Sequence, residues 1–194
     1  MKNIILFILL LSLQLVAQTK QTQLDITVSV ISQMSETVHS LQQERGASCG
    51  YISSHSEKFS EKLTQITQNS DKKVSTLHQL LNNNTAVLEK YFTKQEHAIL
   101  DETFLKLYDI REEVREFRID FAKTYSIYTQ SISFLLMNIS KISDKIQNKE
   151  LSDELYIYST LLMYKESIGQ KRAALSALFS KEKFQKEIFE YYLT

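Results

Sequence analysis

Two arginines stand where a charge needs a partner that its own helix does not supply. Arg45 has Leu41, Gln42, Ser48 and Cys49 three and four residues away, and Arg172 has Ile168, Gly169, Leu175 and Ser176. On a helix these are the neighbours on the same face, and neither set contains a carboxylate. A guanidinium leaving an apolar or small-residue face is costly unless it is paired or hydrogen-bonded. Its partner is either an acid from another helix or a small anion from outside. The planar, permanently charged fork of donors suits planar oxyanions. Two such groups brought together repel, and an anion between them removes the repulsion.

The residues around both arginines share a pattern. The stretch "LQQERGASCGYISSHSEKF" (41–59) lines up with "IGQKRAALSALFSKEKF" (168–184) through Gln43 and Gln170, Arg45 and Arg172, Gly46 and Ala173, Ala47 and Ala174, and Ser53 and Ser180. After a two-residue gap Lys58-Phe59 matches Lys183-Phe184, which makes a weak internal repeat. The chain has three glycines, and all of them lie here: Gly46, Gly50 and Gly169. Glycine within a helix costs roughly 1 kcal/mol against alanine, so close approach of a second helix or a ligand must offset it. The candidate anion-binding residues are Arg45 and Arg172, with Gly46, Ser48, Cys49, Gly169 and Ser176 as candidate pocket lining.

Other chemistries find little support. With a single cysteine, Cys49, there is neither an internal disulfide nor a cysteine-based zinc site. A guanidinium beside Cys49 could lower its pKa, but a buried inert thiol is the commoner case. His97 and Asp101 share a helical face, and one such pair is weak ground for a metal site. No glycine-rich phosphate loop or nucleophile arrangement is present, so no cofactor, no metal and no enzymatic activity are expected. Zero formal net charge gives no electrostatic footprint for nucleic acid. The run "DIREEVREFRIDF" (109–121), with Arg111, Arg115 and Arg118 among glutamates, reads as a charged face toward solvent.

The elements that carry these residues read as helices throughout. The 194 residues contain no proline, and no segment alternates with period two, so the fold class is all-α: antiparallel long helices in packed bundles. The first helix runs from Leu24 to Ile52, with Val28, Ile31, Met34, Val38 and Leu41 inward. A turn covers 53–59. A second helical region spans 57–81, with a break expected at "QNSD" (68–71) and a stop at "NNN" (82–84). Thr93 and Glu96 form a capping box for a helix reaching about Phe117. Another covers Lys123–Ile146, with Met137 among its inward residues. Ser152 caps a helix passing through Leu162 and Ile168 to Phe179, and an amphipathic piece occupies 181–194.

The first residues stand apart. Lys2 precedes "IILFILLLSLQLVA" (4–17), an apolar run too short for the roughly 20 residues of a spanning helix and close to a signal-peptide core. Residues 1–18 are therefore a signal peptide or, kept in place, a membrane anchor. Residues 19–194 form the folded domain outside the cytoplasm, periplasmic or secreted.

"LQQERGASCGYISS" resembles the opening motif of the NIT domain, a nitrate- and nitrite-sensing family, and "YKESIGQKRAALSALF" resembles that family's later motif. The resemblance covers roughly residues 24–192. It implies two packed helical bundles with a pocket between them, where an arginine from each motif, here Arg45 and Arg172, holds nitrate or nitrite. Family members continue with further helices and often a signalling output, so the domain resembles one lacking its last helices. The expected function is an extracytoplasmic nitrate or nitrite sensor for signal transduction, with a homodimer or a signalling partner as its output. The alternative is an exported helical bundle that packs on a partner and needs no ligand. The two separate on geometry: a sensor brings Arg45 and Arg172 to a shared space with no acid between them, and a scaffold gives each an acid or water.

Overall fold

The computed structural model describes residues 2–55 and 60–179, apart from the side chains of 2–13, 17 and 176–178. Within these residues six helices follow one another: α1 (Lys2–Ser54), α2 (Ser60–Asn83), α3 (Thr85–Leu88), α4 (Lys94–Arg115), α5 (Phe121–Asp144) and α6 (Lys149–Phe179). Among the described residues there is no strand, and the fold is all-α. The absence of proline and the scarcity of glycine leave nothing to interrupt such long helices.

The spine is α1, which packs against α2, α5 and α6. Leu15 and Val16 are exposed, and Thr27 is the first buried residue among the described side chains. From there Val30, Ile31, Met34, Val38 and Leu41 form a buried stripe at helical spacing. Leu77 and Leu81 of α2, Leu107 and Ile110 of α4, and Tyr128, Ile132, Leu135, Ile139 and Ile142 of α5 complete one continuous core. Burying side chains of this size contributes about 1.5–3 kcal/mol each.

The helix ends are fixed by local chemistry. Thr93 caps α4 through the reciprocal box with Glu96: the Glu96 amide donates to the Thr93 hydroxyl at 3.2 Å, and the Thr93 amide donates to the Glu96 carboxylate at 2.8 Å. Lys141 of α5 bonds the same carboxylate, which ties α4 to α5. Asp120 caps α5 by accepting from the Lys123 amide at 2.8 Å. Phe117 ends α4 with φ of 53°, a region costly for a bulky residue. Its ring stacks on Tyr51 at 4.6 Å and on His55 at 5.2 Å, contacts that hold the strained backbone in place.

Several expectations need correction. "QNSD" does not break α2, because Ser70 is buried and its hydroxyl bonds the Ile66 carbonyl, so polar residues without proline or glycine continue the helix. Asn148, not Ser152, starts α6, its side chain accepting from the Leu151 amide at 3.0 Å. Arg111 does not face solvent but is buried beside Glu44 and Asp71. Arg118, by contrast, pairs with Glu112 and Glu116 at the surface as expected. Val28, Met137 and Ile168, expected inward, are exposed, because each lies off the face that its helix turns to the bundle. The amphipathic piece 181–194 and most of the turn at 53–59 lie outside the described residues.

The hydrogen bond from Lys141 and the two from Thr93 bring the Glu96 carboxyl down to about 2 from 4.5. A depressed carboxylate contributes stability that is present above its unfolded value and lost as pH falls through the folded one. Stability should therefore decline between pH 5 and 2, and Glu96→Gln should flatten that decline. Denaturant unfolding of both proteins at pH 6, 4 and 2 checks this.

Candidate functional site

Glu44 and Arg45 are consecutive residues of α1, and both are 0% exposed. Neighbours on a helix are turned by about 100°, so the two opposite charges face different helices. Each finds its counter-charge across the bundle. Arg45 meets Glu166 of α6 with two parallel bonds, Nη1 to Oε1 at 2.5 Å and Nη2 to Oε2 at 3.1 Å. Its Nη1 also donates to Thr129 of α5 at 3.0 Å, and the guanidinium lies 5.6 Å from the centre of the Tyr125 ring. Gln42 and Gln170 each donate to Glu166 at 2.9 Å. The Arg45 Nε has no hydrogen-bond partner among the described residues.

Glu44 is held in the same way. Arg111 of α4 donates to it from Nε at 2.6 Å and from Nη2 at 3.0 Å, and Tyr128 of α5 donates its hydroxyl at 3.0 Å. Arg111 also bonds Asp71 of α2. Burial and the Glu44 charge together push the Tyr128 phenol well above its ordinary range, so it remains a donor. One dipeptide of α1 is thus wired by charged hydrogen bonds to α2, α4, α5 and α6.

The glycines take on different meanings. At Gly169 a Cβ would stand 3.1 Å from the Arg45 Nη2, so glycine there lets α6 close on the guanidinium. At Gly46 a Cβ would meet nothing within 4 Å. Gly46 opens on a groove of about 520 Å³. Gln42, Gln43 and Gly50 of α1, Lys62 and Leu63 of α2, and Arg172 of α6 also line it. Among its described lining residues the charged ones are the two cations Lys62 and Arg172, with no carboxylate.

The two motif helices therefore do pass close together, but Arg45 and Arg172 face different surroundings. Arg45 is buried against an acid, whereas Arg172 is exposed and turned to the groove. The space free of acid expected between them is not formed, because Glu166 fills the position before Arg45. Of the other candidates, Gly46 joins Arg172 in the groove. Ser48 instead bonds Tyr128, and Cys49 is buried beside Phe121, with Gly169 against Arg45. The Ser176 side chain lies outside the described residues. Burial pushes the Cys49 thiol up to about 12, and the nearby Arg45 charge only partly opposes it, so the thiol is unreactive near neutrality.

Sequence reasoning passed over Glu44 and Glu166, although both lie within the two motifs. The available signal was position. Glu44 follows Leu41 by three and precedes Ser48 by four, and Glu166 follows Leu162 by four, all on buried faces.

Removing one partner of a buried pair leaves an uncompensated charge, at about 3–5 kcal/mol. Arg45→Ala should destabilise the domain by that amount. Arg45→Met combined with Glu166→Leu should return most of it, since a well-packed apolar pair is about neutral against a buried ion pair. Urea unfolding of the two variants beside the wild type measures both effects.

A family model described as nitrate and nitrite sensing matches residues 36–194. Among solved structures, the chain is similar to the NasR transcription antiterminator, with a TM-score of 0.70 at 20% identity, over 91% of this chain and 49% of that one. At that identity the likeness is one of fold, and the chain spans about half the length of the solved relative. No curated protein matches. The family match takes in most of the chain and both arginine motifs, and the chain belongs to the NIT family, nitrate and nitrite sensing.

Proposed function

We propose that the chain is a non-enzymatic, extracytoplasmic sensor that binds nitrate or nitrite in the groove between α1, α2 and α6. The observation that carries this reading is the pairing of Arg172 and Lys62 over a groove with no acid among its described lining residues, beside the open backbone of Gly46. Two cations attract a small anion, and the guanidinium fork matches a planar one. Charge-assisted hydrogen bonds contribute about 1.5–3 kcal/mol each. Gln42 connects this groove to Arg45: it lines the groove, and its amide donates to Glu166. An anion that recruits the Gln42 amide loosens Glu166 and frees the Arg45 fork, so Arg172 meets the ligand first and Arg45 joins it. That exchange draws the early and late motif helices into a new relative position, which is the signal.

The extracytoplasmic location rests on the apolar run 4–17. Among the described residues no helix is long and apolar enough to cross a membrane. Cell fractionation with mass spectrometry should find an exported protein, either cleaved near Ala17 or retained at the membrane; a soluble cytoplasmic product retaining Met1 would refute this.

One observation favours a second reading. Arg45 is paired with Glu166, an acid of its own chain, as in an exported scaffold that only packs on a partner. Calorimetric titration with nitrate, nitrite, chloride and sulfate separates the two. The sensor binds nitrate or nitrite above the other anions. Arg172→Ala should weaken that binding at least tenfold with little change in thermal stability, because Arg172 is exposed. Wild-type affinity in Arg172→Ala would remove the groove as the site.

A further inference from the structure

Helix α6 carries a second pattern that neither the core nor the groove uses. Ile157, Leu161, Tyr164 and Ile168 are spaced by four, three and four residues, and they are 61%, 59%, 66% and 52% exposed. The opposite side of the same helix is the buried one, through Ser159, Leu162, Glu166 and Ala173. Alternating three- and four-residue spacing is the seam of a coiled coil. The seam continues one step at each end at the same spacing, to Glu154 before Ile157 and Lys171 after Ile168, both exposed. It is about 25 Å long at 1.5 Å per residue. Four large apolar side chains are thus bracketed by one negative and one positive charge.

The bracketing charges select the occupant. We propose that this face of α6 pairs with the same face of a second copy of the chain, antiparallel, about a two-fold axis passing between Leu161 and Tyr164. In that arrangement Ile157 meets Ile168 of the partner subunit, and Leu161 meets Tyr164 of the partner subunit. Glu154 then meets Lys171 of the partner subunit, and the symmetry repeats every contact. A parallel pairing would place Glu154 against glutamate and Lys171 against lysine, and like charges across such a seam disfavour it. Apolar residues placed evenly about the axis with opposite charges at the two ends, acid–apolar–apolar–apolar–apolar–base, are what a self-complementary antiparallel surface requires. Arg172 and Gly169 lie on this same helix, so the dimer seam and the groove share one rigid element.

Charge reversal tests the register directly. The full chain, kept in mild detergent, is measured by sedimentation equilibrium, with circular dichroism confirming that each variant is folded. The wild type should be a dimer. Glu154→Lys sets lysine against Lys171 of the partner subunit, and Lys171→Glu sets glutamate against Glu154 of the partner subunit. Each should weaken dimerisation at least tenfold. The double variant Glu154→Lys/Lys171→Glu restores opposite charges and should restore the dimer. A monomeric wild type overturns the proposal and leaves the face to another segment of the chain or a different partner. A dimer indifferent to both reversals, or a double variant no better than the singles, also overturns it.

Discussion

The structure turns on two consecutive buried charges of opposite sign, Glu44 and Arg45, each paired with a counter-charge on a different helix. Neither can be satisfied within α1. A buried charge left without its partner is among the most expensive defects a small domain can carry. The dipeptide therefore admits only those arrangements in which α4 delivers Arg111 on one side and α6 delivers Glu166 on the other. The apolar core would tolerate sliding of one helix past another by a turn more readily than this pair of ion pairs would. Hydrophobic burial supplies most of the stability, and the charged bonds decide which packing of the helices is reached.

The same arrangement divides labour between the two motif arginines. Arg45 is committed to the interior, paired with Glu166, whereas Arg172 stays at the surface of the groove. Gln42 belongs to both places, since it lines the groove and bonds Glu166. A ligand that competes for that amide has a route to the buried pair without any large motion. The physical requirement for a sensor is a ligand with different affinity for two states, and in the proposed reading a planar anion that competes with Glu166 for the Arg45 guanidinium would meet it. The long helix α6 would carry it outward, having Glu166 on its inner face and an apolar seam on its outer one.

The sequence by itself determined the helices, because the signals that make them are local: the lack of proline, the apolar spacing, the Thr93–Glu96 box and the polar stops. It also determined the two arginine motifs and, through them, the family. Its errors at the helix ends were of the same local kind, where two nearby polar residues, Asn148 and Ser152, compete for one cap and only the hydrogen bond decides. What the tertiary structure alone decided was the partner of each charge and the fate of each apolar face. Arg111 looks like its neighbours Arg115 and Arg118, yet one is buried and the others are solvated. Ile168 looks like Leu162, yet one faces out. Local spacing says which residues share a face. Which face meets a neighbouring helix, and which acid stands opposite an arginine, depends on residues as distant along the chain as Arg45 and Glu166, and those come together only when the bundle closes.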